Sequence, residues 1–127
     1  MKSSELMIGD WVKSLKEDHS GEYGQVIDID HHDTVLLEYQ CVNYYTDVEH
    51  IEPIPLTTEI LEKNGFTRYG QVYANLQQWV GKFGDKRKSF VQDIRTGELG
   101  MNDVWINYVH ELQHVLKLCK IEKEIEL

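Results

Sequence analysis

The sequence lacks the features that would place it in a membrane or secreted class of protein. Its apolar runs are only a few residues long, far short of the ~20 that a membrane-spanning helix requires. The segment from Met1 to Leu6 has no apolar stretch of the kind found in a secretory signal. The sequence therefore predicts a cytoplasmic protein without a membrane partner.

Cysteine is equally scarce. The 127 residues include two, Cys41 and Cys119, which are far apart in the sequence and lie in apolar surroundings. The expected state is a pair of buried thiols in a reducing compartment, and the alternative is one long-range disulfide.

Basic charge is also in short supply. Thirteen Lys and Arg stand against 22 Asp and Glu, for a net charge of −9. A protein that binds nucleic acid must neutralise phosphates, so direct nucleic-acid binding is not expected. The one basic cluster, Lys82 with Lys86, Arg87 and Lys88, surrounds Gly84 and is predicted to be a solvated turn. The acid excess favours solubility and allows docking onto a basic partner surface.

The first half of the sequence is rich in short β patterns. Apolar and β-branched residues form runs of four to seven residues, separated by polar turns. Strands at roughly ten-residue spacing are typical of a small barrel or a meander. The predicted strands cover residues 10–15, 23–29, 34–39 and 42–45.

Two segments in this half resemble SH3-like barrels of the KOW type. They read Ile8-Gly9-Asp10-Trp11-Val12 and, after a loop, Gly21-Glu22-Tyr23-Gly24-Gln25-Val26. The resemblance implies an SH3-like small β-barrel over residues 1–56. Ile8 and Val12 are expected to pack inward, and Gly24 to let its strand bend sharply.

The second half, residues 57–127, is predicted to form an α+β unit packed against the first in one globule. Pro53 and Pro55 keep the chain extended, after which Thr57 caps a short helix. An antiparallel sheet and a C-terminal helix follow, so the fold class is α+β. The helix is expected to end at Asn64-Gly65, the strands to cover 72–80 and 89–95, and the last helix 107–119, with its apolar stripe at Val109, Leu112, Val115, Leu116 and Cys119.

A second resemblance covers more of the chain. Its blocks are Ile8-Gly9-Asp10-Trp11-Val12, Ile51-Glu52-Pro53-Ile54-Pro55-Leu56-Thr57, Ile60-Leu61-Glu62-Lys63-Asn64-Gly65-Phe66 and Tyr108-Val109-His110-Glu111-Leu112-Gln113. Together they look like a group of small uncharacterised proteins from Bacteroides-type bacterial genomes, often in phage-like or mobile regions. The resemblance implies a bacterial cytoplasm and a mobile-element origin, and it implies no activity. The group usually has a segment like His-Gln-Leu-Gln-Asn where this sequence has Glu111 and His114.

The last helix carries a pattern typical of zinc peptidases, His110-Glu111-Leu112-Gln113-His114. On a helix, His110 and His114 lie one turn apart and can hold one Zn²⁺, while Glu111 stands where such enzymes place the general base. This pattern gives one hypothesis, a small zinc-dependent hydrolase.

Two features of the sequence argue against that hypothesis. A catalytic zinc needs a third protein ligand, and the extended form of the motif would require glycine and histidine where Lys117 and Lys120 stand. The histidine pair also lies almost opposite the apolar stripe and is predicted to face solvent. The remaining candidates for a third ligand are His19, His31, His32 and His50 upstream and Glu122, Glu124 and Glu126 downstream.

No catalytic, cofactor-binding or metal-binding residue is therefore expected. The acidic turn from Asp28 to Asp33 fits ordinary turn chemistry, and Trp11, Trp79 and Trp105 fit a β core. The favoured function is a non-catalytic protein-interaction or accessory module with an unknown protein partner. The alternatives are the zinc hydrolase and an acidic nucleic-acid mimic that occupies a nucleic-acid-binding protein.

Overall fold

In the part of the chain that the structure describes, the fold is mostly β, with two short helices and a curled antiparallel sheet that forms a half-barrel, in agreement with the predicted α+β class. The computed structural model describes residues 1–30, 32–73, 75–101 and 104–127, and for 72 and 73 the backbone only. Contacts divide the chain into unit 1, Met1–Ile54 with Tyr108–His110, and unit 2, Pro55–Asn107 with Glu111–Leu127.

Unit 1 is built on a five-stranded antiparallel sheet with the order β4-β3-β2-β1-β5. Short 3-10 turns lie between β1 and β2, at Glu17–His19, and between β4 and β5, at Val48–His50. The strands are β1 Trp11–Ser14, β2 Tyr23–Ile29, β3 Thr34–Tyr39, β4 Val42–Asp47 and β5 Ile51–Pro53.

Alternating burial along these strands creates the core of unit 1. In β3, for example, Val35 and Leu37 are buried while Glu38 is exposed. Val12 is fully buried, as predicted, but the expectation for Ile8 is wrong, because Ile8 is 54% exposed. Ile8 precedes β1 at a turn where Gly9 has φ 95°, so strand alternation does not apply to it. The buried cluster contains Leu6, Val12, Val26, Val35, Leu37, Tyr44, Val48 and Ile51.

The irregularity in β2 lies further along the strand than the sequence suggested. Gly24 pairs regularly with Val12, whereas the register with β3 shifts between Val26 and Asp28. A register shift of this kind bends a strand and increases its twist. A Cβ on Gly24 would lie 3.4 Å from Leu37 Cβ, so this glycine allows a close approach of β3 rather than a bend.

Unit 2 contains the other five-stranded antiparallel sheet, with the order β10-β9-β8-β7-β6. The short helix α1 precedes it, and its predicted start and end are confirmed. The Thr57 hydroxyl accepts a hydrogen bond from Ile60 N at 3.3 Å, and the chain leaves the helix at Asn64 and Gly65, whose φ is 88°. The elements are α1 Thr58–Lys63, β6 Phe66–Tyr73, β7 Leu76–Phe83, β8 Lys86–Asp93, β9 Leu99–Met101, β10 Val104–Ile106 and α2 Val109–Leu118.

The sheet of unit 2 differs from its prediction in three places. The strand expected over residues 89–95 is β8, which begins at Lys86 and ends at Asp93. The single strand expected over residues 72–80 is wrong, because β6 ends at Tyr73 and β7 begins at Leu76; Ala74, part of that predicted strand, lies outside the described residues. Strands β9 and β10 were not predicted at all. Each has only three residues, too few to show a period.

The cysteines also differ from expectation in part. Both are free thiols, and Cys41 is exposed while Cys119 is partly buried. The expectation of a buried thiol is wrong for Cys41. This residue belongs to the two-residue turn between β3 and β4, where Gln40 and Cys41 have φ of 48° and 67°, and a hairpin turn of this length projects from its sheet.

Candidate functional site

The helix α2 places the first histidine of the zinc-peptidase pattern in a buried position. His110 is only 5% exposed, and its ring stacks on that of Tyr108 with centroids 6.0 Å apart. His114 is partly buried. The expectation that both imidazoles face solvent is therefore wrong, because the buried face of α2 is wider than its apolar stripe and includes His110 and Gln113.

Glu111, the candidate general base, acts as a helix cap in the structure. Its Oε1 accepts a hydrogen bond from Asn107 N at 3.0 Å, just before α2 begins. A carboxylate in the first turn of a helix also interacts favourably with the positive end of the helix dipole. This structural role accounts for a glutamate at this position.

No third ligand joins the histidines in the described part of the chain. Among those residues, no group of three or more His, Cys, Asp or Glu side chains could hold a metal ion. His19 instead lies 2.8 Å from Glu22 and His50 lies 3.9 Å from Asp47; His31 lies outside the described residues. The zinc-hydrolase hypothesis stays a prediction and gains no support from the geometry.

The acidic turn and the basic cluster have ordinary structural roles. His32 N donates to Asp30 Oδ1 at 2.7 Å, a typical turn contact. In the basic cluster, Gly84 has φ 63° in the turn between β7 and β8, and Arg87 lies 5.2 Å from the centre of the Tyr69 ring. The acidic segment lies at the turn between β2 and β3, as predicted. For the basic cluster only the turn at Gly84 is confirmed, because Lys82 belongs to β7 and residues 86–88 belong to β8.

Unit 1 contains a surface cleft between the β1–β2 connection and β4. It has a volume of about 580 Å³. The β1–β2 connection at residues 15–18 forms one wall, and residues 45–47 of β4 with His50 form the other; Thr34 completes it. Leu15 and Tyr45 are 42% and 60% exposed. The cleft thus offers apolar surface that nothing in the described structure covers.

The wall formed by the β1–β2 connection is held by contacts to β4. The His19 ring stacks on the Tyr44 ring, with centroids 3.7 Å apart and an angle of 4° between the planes. The ammonium of Lys16 donates to Tyr45 O at 2.8 Å and lies 5.8 Å from the centre of the Tyr44 ring. His19 Nδ1 lies 2.8 Å from Glu22 Oε2. These contacts shape the cleft before any ligand arrives.

Tyr44, on which the His19 ring of this wall stacks, has a raised pKa. Burial raises the pKa of the Tyr44 phenol above its ordinary value of 10.0; the Ser14 hydroxyl acts in the opposite direction, and the Glu22 carboxylate adds to the rise. Tyr44 therefore carries no charge near neutral pH. The charge of the cleft comes from its exposed carboxylates and from Lys16.

Those carboxylates are Glu17, Asp18 and Asp47, and they belong to a strongly acidic unit. Unit 1 contains twelve Asp and Glu against three Lys and Arg, whereas unit 2 contains ten of each. The net charge of −9 of the whole chain therefore resides entirely in unit 1. A cleft with walls of one sign raises the local concentration of ligands of the opposite sign.

Comparisons with protein-family models, with curated proteins and with solved structures found no match. Among the described residues, no helix combines the length and the apolar character needed to cross a membrane.

Sequence reasoning did not find the cleft. Its residues come from three separated segments, and none of them forms a motif. The sequence does contain one indication of the acidic unit. Residues 1–54 have twelve Asp and Glu against three Lys and Arg, so a count of charges in each half of the chain identifies it.

Proposed function

We propose that unit 1 is an SH3-like, non-catalytic module that binds a basic segment of a partner protein in the cleft between the β1–β2 connection and β4. The observation that carries this proposal is the cleft itself. It combines exposed apolar surface at Leu15 and Tyr45 with three carboxylates, in a unit with a net charge of −9.

The barrel assignment is supported by the strand arrangement of unit 1. Its five strands are short and antiparallel, and β1 pairs with β2 on one side and with β5 on the other. The register shift in β2 bends the sheet in the manner that closure of a small barrel requires.

The choice of a basic partner follows from the electrostatics. Among the described residues that line the cleft, Lys16 is the one Lys or Arg. Its ammonium already donates a hydrogen bond to Tyr45 O. Glu17, Asp18 and Asp47 remain exposed. Charge complementarity of this kind steers encounter and selects the partner, while apolar contacts add affinity.

The test is a titration calorimetry measurement with a synthetic probe, an acetylated and amidated heptapeptide of alternating lysine and valine. We expect binding to the intact protein, weaker at high salt because exposed charges are screened. The same peptide with glutamate in place of lysine is expected not to bind. The variant Glu17→Lys with Asp18→Lys is expected to bind the lysine peptide about tenfold more weakly or worse, since repulsion replaces attraction at two sites.

The matched control changes the net charge by the same amount away from the cleft. Glu5 and Glu38 are exposed residues of unit 1 that do not line it, and Glu5→Lys with Glu38→Lys is expected to retain binding within about threefold. Equal losses in both variants would contradict a cleft and favour the acidic nucleic-acid mimic, which binds through the whole acidic surface. Absence of binding to the intact protein would overturn the proposal.

A further inference from the structure

Strand β4, one of the two outer strands of the unit 1 sheet, has an edge that no other described strand covers. Strand β4 ends the order β4-β3-β2-β1-β5 and pairs only with β3 among the described strands. The pairing runs from Val42 to Asp47 without a register shift. The free edge is therefore regular over six residues.

Hydrogen bonds identify which residues direct their backbone groups to the free edge. In an antiparallel pair, residues alternate between bonding to the neighbour and pointing away from it. The register continues beyond the strand, where Val48 N donates to Asp33 O at 3.0 Å, so Thr46 and Tyr44 also bond to β3. Asn43, Tyr45 and Asp47 therefore point outward, and the bond from Lys16 Nζ to Tyr45 O confirms this direction.

The outward edge has little protection. Proteins usually protect an exposed edge with proline, a bulge or inward-facing charges. Strand β4 contains no proline and no bulge. Within the described structure, Lys16 is the one side chain that bonds to its outward backbone groups. An extended segment that displaced this ammonium could form hydrogen bonds with the outward backbone N–H and C=O groups of β4.

The free edge and the cleft share residues. Tyr45 and Asp47 line the cleft and also direct backbone groups to the edge. We propose, on the basis of the function proposed above, that the basic partner segment binds as an added β-strand along β4. Backbone hydrogen bonds to the edge give affinity, and alternating cationic side chains meet the carboxylates of the cleft.

A second copy of this chain fits the edge less well. Two β4 edges would bring together two units that each carry a net charge of −9, and like charges in an interface oppose association. A basic segment from a partner removes this repulsion. Charge therefore selects the partner segment over self-association.

The experiment compares three forms of the lysine–valine heptapeptide in the same calorimetric titration. One is unmodified, one is N-methylated at every valine, and one is N-methylated at every lysine after the first. In an added strand, alternate N–H groups face the neighbouring strand. One methylated form therefore loses N–H donors that face β4 and places methyl groups against the strand, and it is expected to bind at least tenfold more weakly. The other form is expected to bind within about threefold of the unmodified peptide.

The outcomes separate this proposal from the function on which it rests. If the unmodified peptide binds and depends on Glu17 and Asp18, but both methylated forms behave alike, the cleft stands and the added strand is wrong. If the unmodified peptide does not bind, both proposals are wrong.

A variant pair tests the same idea from the protein side. Asn43 points its N–H outward, so Asn43→Pro removes an edge donor and leaves the bonds to β3 in place. Asn43→Pro is expected to bind the unmodified peptide at least tenfold more weakly than Asn43→Ala, which removes the same side chain but keeps the outward N–H. Equal affinities would overturn the proposal. A dimer in sedimentation velocity that Asn43→Pro abolishes would also overturn it, because a second copy would then occupy the edge.

Discussion

At the scale of single residues, the turn between β3 and β4 stands out. Gln40 and Cys41 form its two-residue loop, and both have positive φ, at 48° and 67°. Two-residue loops with this geometry favour Asn-Gly, because asparagine tolerates and glycine readily adopts positive φ. Gln40 and Cys41 therefore each occupy an unfavourable region of backbone conformation, at a cost of about 1 kcal/mol per residue.

This geometry predicts that Gln40→Asn combined with Cys41→Gly stabilises the protein. The free energy of unfolding, from urea denaturation, is expected to rise by about 1–2 kcal/mol. The control Cys41→Ser keeps a Cβ at the same φ and is expected to change stability by less than about 0.5 kcal/mol. An equal gain in the control would show that the thiol, and not the backbone, is the cause.

Asn64 shows a side chain with a role that its local sequence does not reveal. It is 1% exposed, and its amide donates to Ile60 O and to Glu126 O, each at 2.7 Å. Its Oδ1 accepts from Glu126 N at 2.7 Å. The sequence predicted Asn64 as the end of α1, which is confirmed, but its contacts with a residue 62 positions away could not be predicted from helix patterns.

We expect Asn64→Ala to lower the free energy of unfolding by about 2–4 kcal/mol, because the substitution removes three hydrogen bonds and leaves the backbone groups of Ile60 and Glu126 with fewer partners. Urea denaturation measures the change. The exposed Asn43 provides the control, and Asn43→Ala is expected to cost less than about 0.5 kcal/mol. A similarly small loss for Asn64→Ala would contradict this role.

At the scale of elements, the segment after α2 is ordered by burial rather than by regular structure. Residues 121–127 contain no helix or strand, yet Ile121 and Ile125 are 4% and 3% exposed. By contrast Leu118, the last residue of α2, is 82% exposed. The segment is therefore part of the core of unit 2.

Ile125→Ala is accordingly expected to destabilise the protein by about 2–4 kcal/mol, the usual cost of truncating a buried isoleucine. Leu118→Ala removes a side chain of similar size from the surface and should cost less than about 0.5 kcal/mol. Thermal or urea unfolding of both variants gives the comparison. Equal effects would mean that the segment does not contribute to the core.

Elements with a clear local signal were predicted well. Strands β2 and β3 matched their predicted ranges, and α1 matched its cap and its end, because alternation, Thr57 and Asn64-Gly65 act locally. The break between β6 and β7 was missed because alternation continues across it. The burial of His110 was missed because the buried residues of α2 include the polar His110 and Gln113, which a stripe of apolar residues does not mark.

At the scale of the whole molecule, the segregation of charge is the dominant feature. The acidic excess belongs to unit 1, and unit 2 has no net charge. Both the total of −9 and its concentration before residue 54 were available from the sequence, and the contact pattern shows that this acidic segment forms one unit. The cleft required the structure, since its walls come from distant segments that strand pairing and the contacts of Lys16 and His19 with β4 bring together.

If the cleft and the β4 edge bind a basic segment, the residues at these sites change their environment when the segment binds. NMR measurement of backbone amide chemical shifts detects such changes residue by residue and is the most direct test. Titration of the protein with the lysine–valine heptapeptide is expected to move the amide signals of residues 15–18 and 43–50 most. Largest shifts in unit 2, or no shifts at all at millimolar peptide, would contradict the claim.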